Sequence, residues 1–190
     1  MGGDQRRAGG TSPGQLTAAP RFRPRGQDDL APSGSVARVR ANLAALAALR
    51  AIEREDRPAL PEEQSALARW SGWGAVPEVF DEGKPEFAWA REELSRLATP
   101  GELSAAARNT LNAHYTDAAL VQAIWIGVQQ LGFAPGSTQF TGVELEPVTA
   151  QIAAALYPDA DIINESFADT GPVRTASTWR SATSRSAPSP

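Results

Sequence analysis

Only eight residues, Ala134–Thr141, separate Phe133 from Gly142. This short interval constrains the fold more than any other feature. Before it, Leu120, Val121, Ile124, Trp125, Val128 and Leu131 recur at helical spacing and predict one broad apolar helix face, stopped by Gly132. After it, Gln139–Leu145 reads as a short strand ending in acids. Pro147–Leu156 reads as a helix with Ile152 and Leu156 inward, Tyr157–Ala160 as a turn and Asp161–Asn164 as a second strand. Strand, helix, strand is a minimal βαβ unit, which is right-handed and parallel. A parallel crossover takes about a dozen residues or more. No further strand and helix therefore fit between Phe133 and Gly142.

The preceding residues predict helices. Val36, Val39, Leu43, Leu46 and Ile52 mark a helix from about Ser35 to Asp56, ended by Pro58. Pro61-Glu62-Glu63 opens a second, which turns Leu67 and Trp70 inward. Trp70-Ser71-Gly72-Trp73-Gly74-Ala75 is a glycine-punctuated turn between two indoles, and Phe80, Phe87 and Trp89 continue an aromatic patch. Such a patch can stack bases or pack a small core; core packing is the expected use. A third helix spans about 85–97. Thr99-Pro100-Gly101-Glu102 is a capping box that starts a fourth, ending near Asn112, and Thr116 caps the apolar helix. Residues 1–33 are expected to form a disordered Gly/Pro/Arg-rich arm, 34–113 a helical leader and 170–190 a disordered tail. In the arm, Phe22-Arg23-Pro24-Arg25-Gly26 could seat a phosphate but reads rather as an extended strip lying on the domain or in solvent.

Composition removes several function classes. With no Cys and one His, a disulfide scaffold, a thiolate zinc site, cysteine catalysis and a His-based metal centre are not expected. No apolar run approaches the ~20 residues of a membrane span, and no apolar segment follows the N-terminal arginines as in a secretory signal. The expected location is cytoplasmic, with no membrane or metal partner. Charge is segregated: residues 1–40 carry seven Arg against three Asp, 170–190 carry three Arg and no acid, and 41–169 carry eight basic against nineteen acidic side chains. Basic tails on an acidic body leave a helical DNA- or protein-binding module, working through the N-terminal arm, as the alternative reading.

A carboxylate at the end of the first strand of a βαβ unit can hold two ribose hydroxyls, and Glu144 occupies that position. Four motifs occur in order. Trp70–Ala75 with its flanking helices, His114-Tyr115-Thr116-Asp117, Thr141–Pro147 and Asn164-Glu165-Ser166-Phe167 together resemble the N12 class of adenine-specific DNA methyltransferases, the plasmid- and phage-borne kind often fused to a helicase. The resemblance covers about 20–169. It implies that 114–169 is an incomplete Rossmann-like methyltransferase domain, so that the whole is an α/β remnant behind a mainly helical N-terminal region. It also implies S-adenosylmethionine as the family's cofactor and DNA as partner. Tyr115 and Thr116 would lie near the methionine part, Glu144 on the ribose and Glu165 by the adenine, with Phe167 packing nearby. His114 would serve a hydrogen bond near the helix cap rather than proton transfer.

Two departures from the family pattern predict a chain that neither binds the cofactor nor catalyses methyl transfer. The strand and Gly-rich turn that bed the cofactor, where glycines let backbone amides approach it, have no room before Gly142. The catalytic tetrapeptide, of the type Asn-Pro-Pro-Tyr or Asn-Val-Pro-Phe, is missing after Asp169. Its Asn and the next carbonyl accept from the target amino group while an aromatic stacks on the flipped base. The stretch Arg174–Ala187 can be encoded so that reading from the third base of the Arg174 codon yields Asn-Gly-Phe-Asp-Leu-Ala-Ile-Gly-Asn-Val-Pro-Phe-Gly. That string is similar to the missing strand and tetrapeptide. A frameshift near Thr170–Val173 is thus expected to have replaced the catalytic segment.

Overall fold

The computed structural model describes residues 21–110, 118–133 and 140–170. Helix α1 (Ser35–Glu55) is its spine. Val39, Leu43, Leu46, Leu49 and Ile52, spaced three and four apart, are all buried, because that spacing puts them on one stripe. The helix ends as Asp56 enters the left-handed region at φ 46°, two residues before Pro58. Helix α2 (Pro61–Leu67) starts on proline, and the Glu63 carboxylate accepts the Leu60 amide at 2.8 Å. The same carboxylate takes both arms of the Arg57 guanidinium, at 2.7 and 2.8 Å.

Helix α3 (Ala88–Leu97) follows a 3-10 turn at Pro85–Phe87, and α4 (Pro100–Asn109) follows the expected capping box. The Thr99 amide donates to Glu102 at 2.7 Å and the Glu102 amide to Thr99 Oγ1 at 3.3 Å. Arg50 of α1 joins this corner, donating to the Leu97 carbonyl at 2.8 Å and to Glu102 at 2.6 Å.

Asn42 is the polar centre of the core. It lies fully buried on α1, and its Nδ2 donates to the Gly72 carbonyl at 2.8 Å. Its Oδ1 accepts from the Ser71 amide at 2.8 Å and the Ser71 hydroxyl at 3.1 Å. One side chain thus satisfies the backbone of the turn between the two indoles, which leaves α-helical geometry at Gly72 (φ 68°). Trp73 is buried, with Trp70 and Phe80 edge-on to it at 5.6 and 5.9 Å. The aromatics around Trp73 are therefore core, as expected. Trp89 lies outside, beneath the Arg40 guanidinium at 5.4 Å.

Strands β1 (Thr141–Val143) and β2 (Asp161–Ile163) pair in parallel, with Thr141 opposite Asp161 and Val143 opposite Ile163. Between them α6 (Pro147–Leu156) buries Val148, Ala150, Ile152 and Leu156. The described chain is thus mostly helical, with one two-stranded parallel sheet.

Three arrangements decide how these elements pack. First, α6 shares the core of the helical region: Val148, Ile152 and Leu156 join Val39, Leu46 and Trp73 in one cluster, and Trp70 Nε1 donates to Thr149 Oγ1 at 3.0 Å. The small side chains along α6 let it sit close to α1, α2 and α4. Second, the apolar face of α5 (Ala118–Gln130) is left open: Leu120, Val121, Ile124 and Trp125 are exposed to solvent, as are Leu131 and Phe133 beyond it. Third, residues 21–33, expected to belong to a disordered arm, are docked. Arg21 Nε donates to Asp159 at 2.6 Å and the Phe22 amide to the Leu156 carbonyl at 3.4 Å, while the Phe22 ring packs on the core. Arg25 closes a local turn on Asp29, whose carboxylate accepts the Arg25 amide at 2.7 Å. Residues 1–20 and 171–190, including the expected frameshifted tail, lie outside the described residues.

Among the described residues no helix is long and apolar enough to cross a membrane, and no group of three or more His, Cys, Asp or Glu is placed to hold a metal ion.

Candidate functional site

The residues singled out for cofactor binding lie where β1 and β2 end. The ladder carries on one step past the strand, the Glu144 amide donating to the Ile163 carbonyl at 2.9 Å. The Asn164 side chain then ties the two strand ends together, its Nδ2 donating to the Glu144 carbonyl at 2.8 Å and the Leu145 carbonyl at 3.1 Å. Glu144 and Glu165 are thereby brought to the same end of neighbouring strands, as the sequence pattern requires.

The Glu144 carboxylate is drawn into the start of α6. One of its oxygens accepts the Glu146 amide at 2.9 Å. Glu146 caps the helix, accepting the Thr149 amide at 2.6 Å and the Thr149 hydroxyl at 2.7 Å on Oε2. Pro147 suits the first helical position because that position needs no amide donor. Glu146 is buried, and its Oε1 has no hydrogen-bond partner. Sequence reading missed this capping residue, although an acid directly before Pro147 was the available signal.

Phe167 stands away from this cluster. The turn it occupies is closed by Ser166, whose carbonyl accepts the Asp169 and Thr170 amides at 2.9 and 3.1 Å. The Phe167 ring is 83% exposed. His114, Tyr115 and Thr116 lie outside the described residues.

A groove of about 730 Å³ opens at the other end of β1. Phe22, Arg23, Trp125, Phe140, Tyr157 and Ile162 line it, with Trp125 and Phe140 edge to face at 5.1 Å. Burial raises the Tyr157 phenol above its ordinary pKa of 10.0. Glu144, Glu165 and Phe167 do not line this groove.

One oxygen of Glu144 is engaged with the start of α6, Phe167 points into solvent, and the aromatic groove lies at the opposite end of the strand. Among the described residues β1 pairs with β2 alone, leaving its other edge without a strand. No protein-family model matches the chain, and no curated protein or solved structure matches it either.

Proposed function

We propose that this chain is a catalytically inactive fragment of an S-adenosylmethionine-dependent adenine-N6 DNA methyltransferase of the N12 class. The reading rests on one observation. Four sequence motifs occur in the family's order, and the last two fall on β1 and directly after β2 of a parallel β1–α6–β2 unit, with Glu144 and Glu165 at its carboxyl end. That placement agrees with a Rossmann-like half-unit, whose ligands lie beyond the carboxyl ends of the strands. Inactivity follows from the interval before Gly142, which leaves no room for the strand and Gly-rich turn that would bed the cofactor.

The alternative, a module that grips DNA through its basic arm, is weakened by how the arm is used. Arg21 and Arg25 are paired with Asp159 and Asp29, which leaves fewer free cations for phosphates.

Isothermal titration with S-adenosylmethionine tests the proposal, and no binding is expected. A micromolar dissociation constant abolished by Glu144→Ala would overturn the claim of inactivity. The bases of the gene through codons 133–187 test its origin. An uninterrupted shifted frame encoding the Asn-Val-Pro-Phe segment is expected after codon 170; a stop or an unrelated segment there would remove the frameshift.

A further inference from the structure

The groove at the amino end of β1 has apolar walls held in place by the backbone around it. Phe22 is anchored by its amide on the Leu156 carbonyl at 3.4 Å, and its ring packs on the core. The Tyr157 carbonyl accepts the Ala160 amide and the Phe140 carbonyl accepts the Asp161 amide, both at 2.9 Å. Ile162 lies against Gly142, where a Cβ would fall 2.9 Å from its Cδ1. The volume, about 730 Å³, is that of a small-molecule site. Its polar groups do not balance. Asp159, the acid among the lining residues, is taken by Arg21 at 2.6 Å. Arg23 also lines the groove, and its guanidinium has no acceptor among the described residues. The Tyr157 hydroxyl has none there either, and burial favours its protonated form. Two donors without acceptors beside aromatic rings call for a ligand that brings both an acceptor and a flat apolar body.

We propose that this groove binds a small aromatic monocarboxylate, its ring against Phe140 and Tyr157 and its carboxylate on Arg23. One negative charge matches one unpaired guanidinium, and a carboxylate can take two of its N–H groups at once. A polyanion is unsuited, because Asp159 stands in the wall and residues 41–169 carry nineteen acids against eight bases. A nucleotide would set ribose hydroxyls against apolar side chains that cannot pair with them. The groove lies at the opposite end of β1 from Glu144, so this inference stands independently of the methyl-transfer reading.

Isothermal titration of the full chain with 2-naphthoate tests it. The expected result is one site with a dissociation constant below about 1 mM. The amide of the same ring, 2-naphthamide, keeps the flat body and loses the charge, and should bind about fivefold more weakly. Arg23 is exposed, so Arg23→Gln leaves the fold intact. It should weaken naphthoate by about the same fivefold factor and leave naphthamide unchanged. Phe140→Leu should weaken both compounds alike, by about fivefold. Arg54→Gln, which removes an exposed arginine outside the groove, should change neither, and AMP should bind more weakly than naphthoate. No binding up to about 5 mM, equal affinity for the acid and the amide, tighter binding of AMP, or equal effects of Arg54→Gln and Arg23→Gln would each overturn the proposal.

Discussion

Replacing Asn42 by alanine tests whether one buried amide holds the two-indole turn against α1. The side chain makes three hydrogen bonds, to Gly72 O, Ser71 N and Ser71 Oγ. Each contributes about 1 kcal/mol net, and a buried backbone group left without a partner costs about 1–3 kcal/mol. Ser71 is itself buried, and Asn42 is fully so, so water does not readily replace the lost partner. The expected destabilisation is about 3–5 kcal/mol, a large part of the ~5–15 kcal/mol that holds a domain of this size together. Urea unfolding followed by tryptophan fluorescence reports directly on this region, because Trp70 and Trp73 flank the turn. Ser71→Ala, which removes only the hydroxyl bond, should cost about 1 kcal/mol or less. A loss below about 1 kcal/mol for Asn42→Ala, or equal losses for the two variants, would refute the reasoning.

Two further outcomes are expected. Thr99→Ala removes the cap of α4 and should lower stability by about 1 kcal/mol in the same urea assay, with the m-value unchanged. The Arg57 guanidinium, with help from the Leu60 amide, holds the Glu63 carboxyl below its ordinary 4.5. The folded value is depressed, so this stabilisation is present above about pH 4.5 and is lost as pH falls through the folded value. Acid titration of Glu63→Gln should show a shallower loss of stability below that pH than the parent chain; identical acid limbs would dismiss the pair as a contributor.

What was legible in the sequence was local. The stripe of α1, the Pro61 start, the Thr99–Glu102 box and the Pro147 helix follow from spacing and caps within a turn or two, and each stands where the pattern put it. The parallel pairing of β1 and β2 also followed, because a strand–helix–strand segment this short has one practical handedness. The placement of Glu144 and Glu165 at one end of the strands came with it.

What only the tertiary structure decided was which apolar faces meet. Both α5 and α6 read as apolar helices, yet α6 is sunk in the core and α5 is left open. The small side chains of α6 allow close approach to α1, α2 and α4, whereas the large ones of α5 find no such surface among the described residues. Asn42 looks like an ordinary polar position on α1 until a turn some thirty residues later brings it two backbone groups to satisfy. Arg21 and Phe22 lack any periodic pattern and are fixed by partners more than 130 residues away. A sequence states what each residue can bury or bond, while distant contacts, invisible to spacing, select which of those capacities is used.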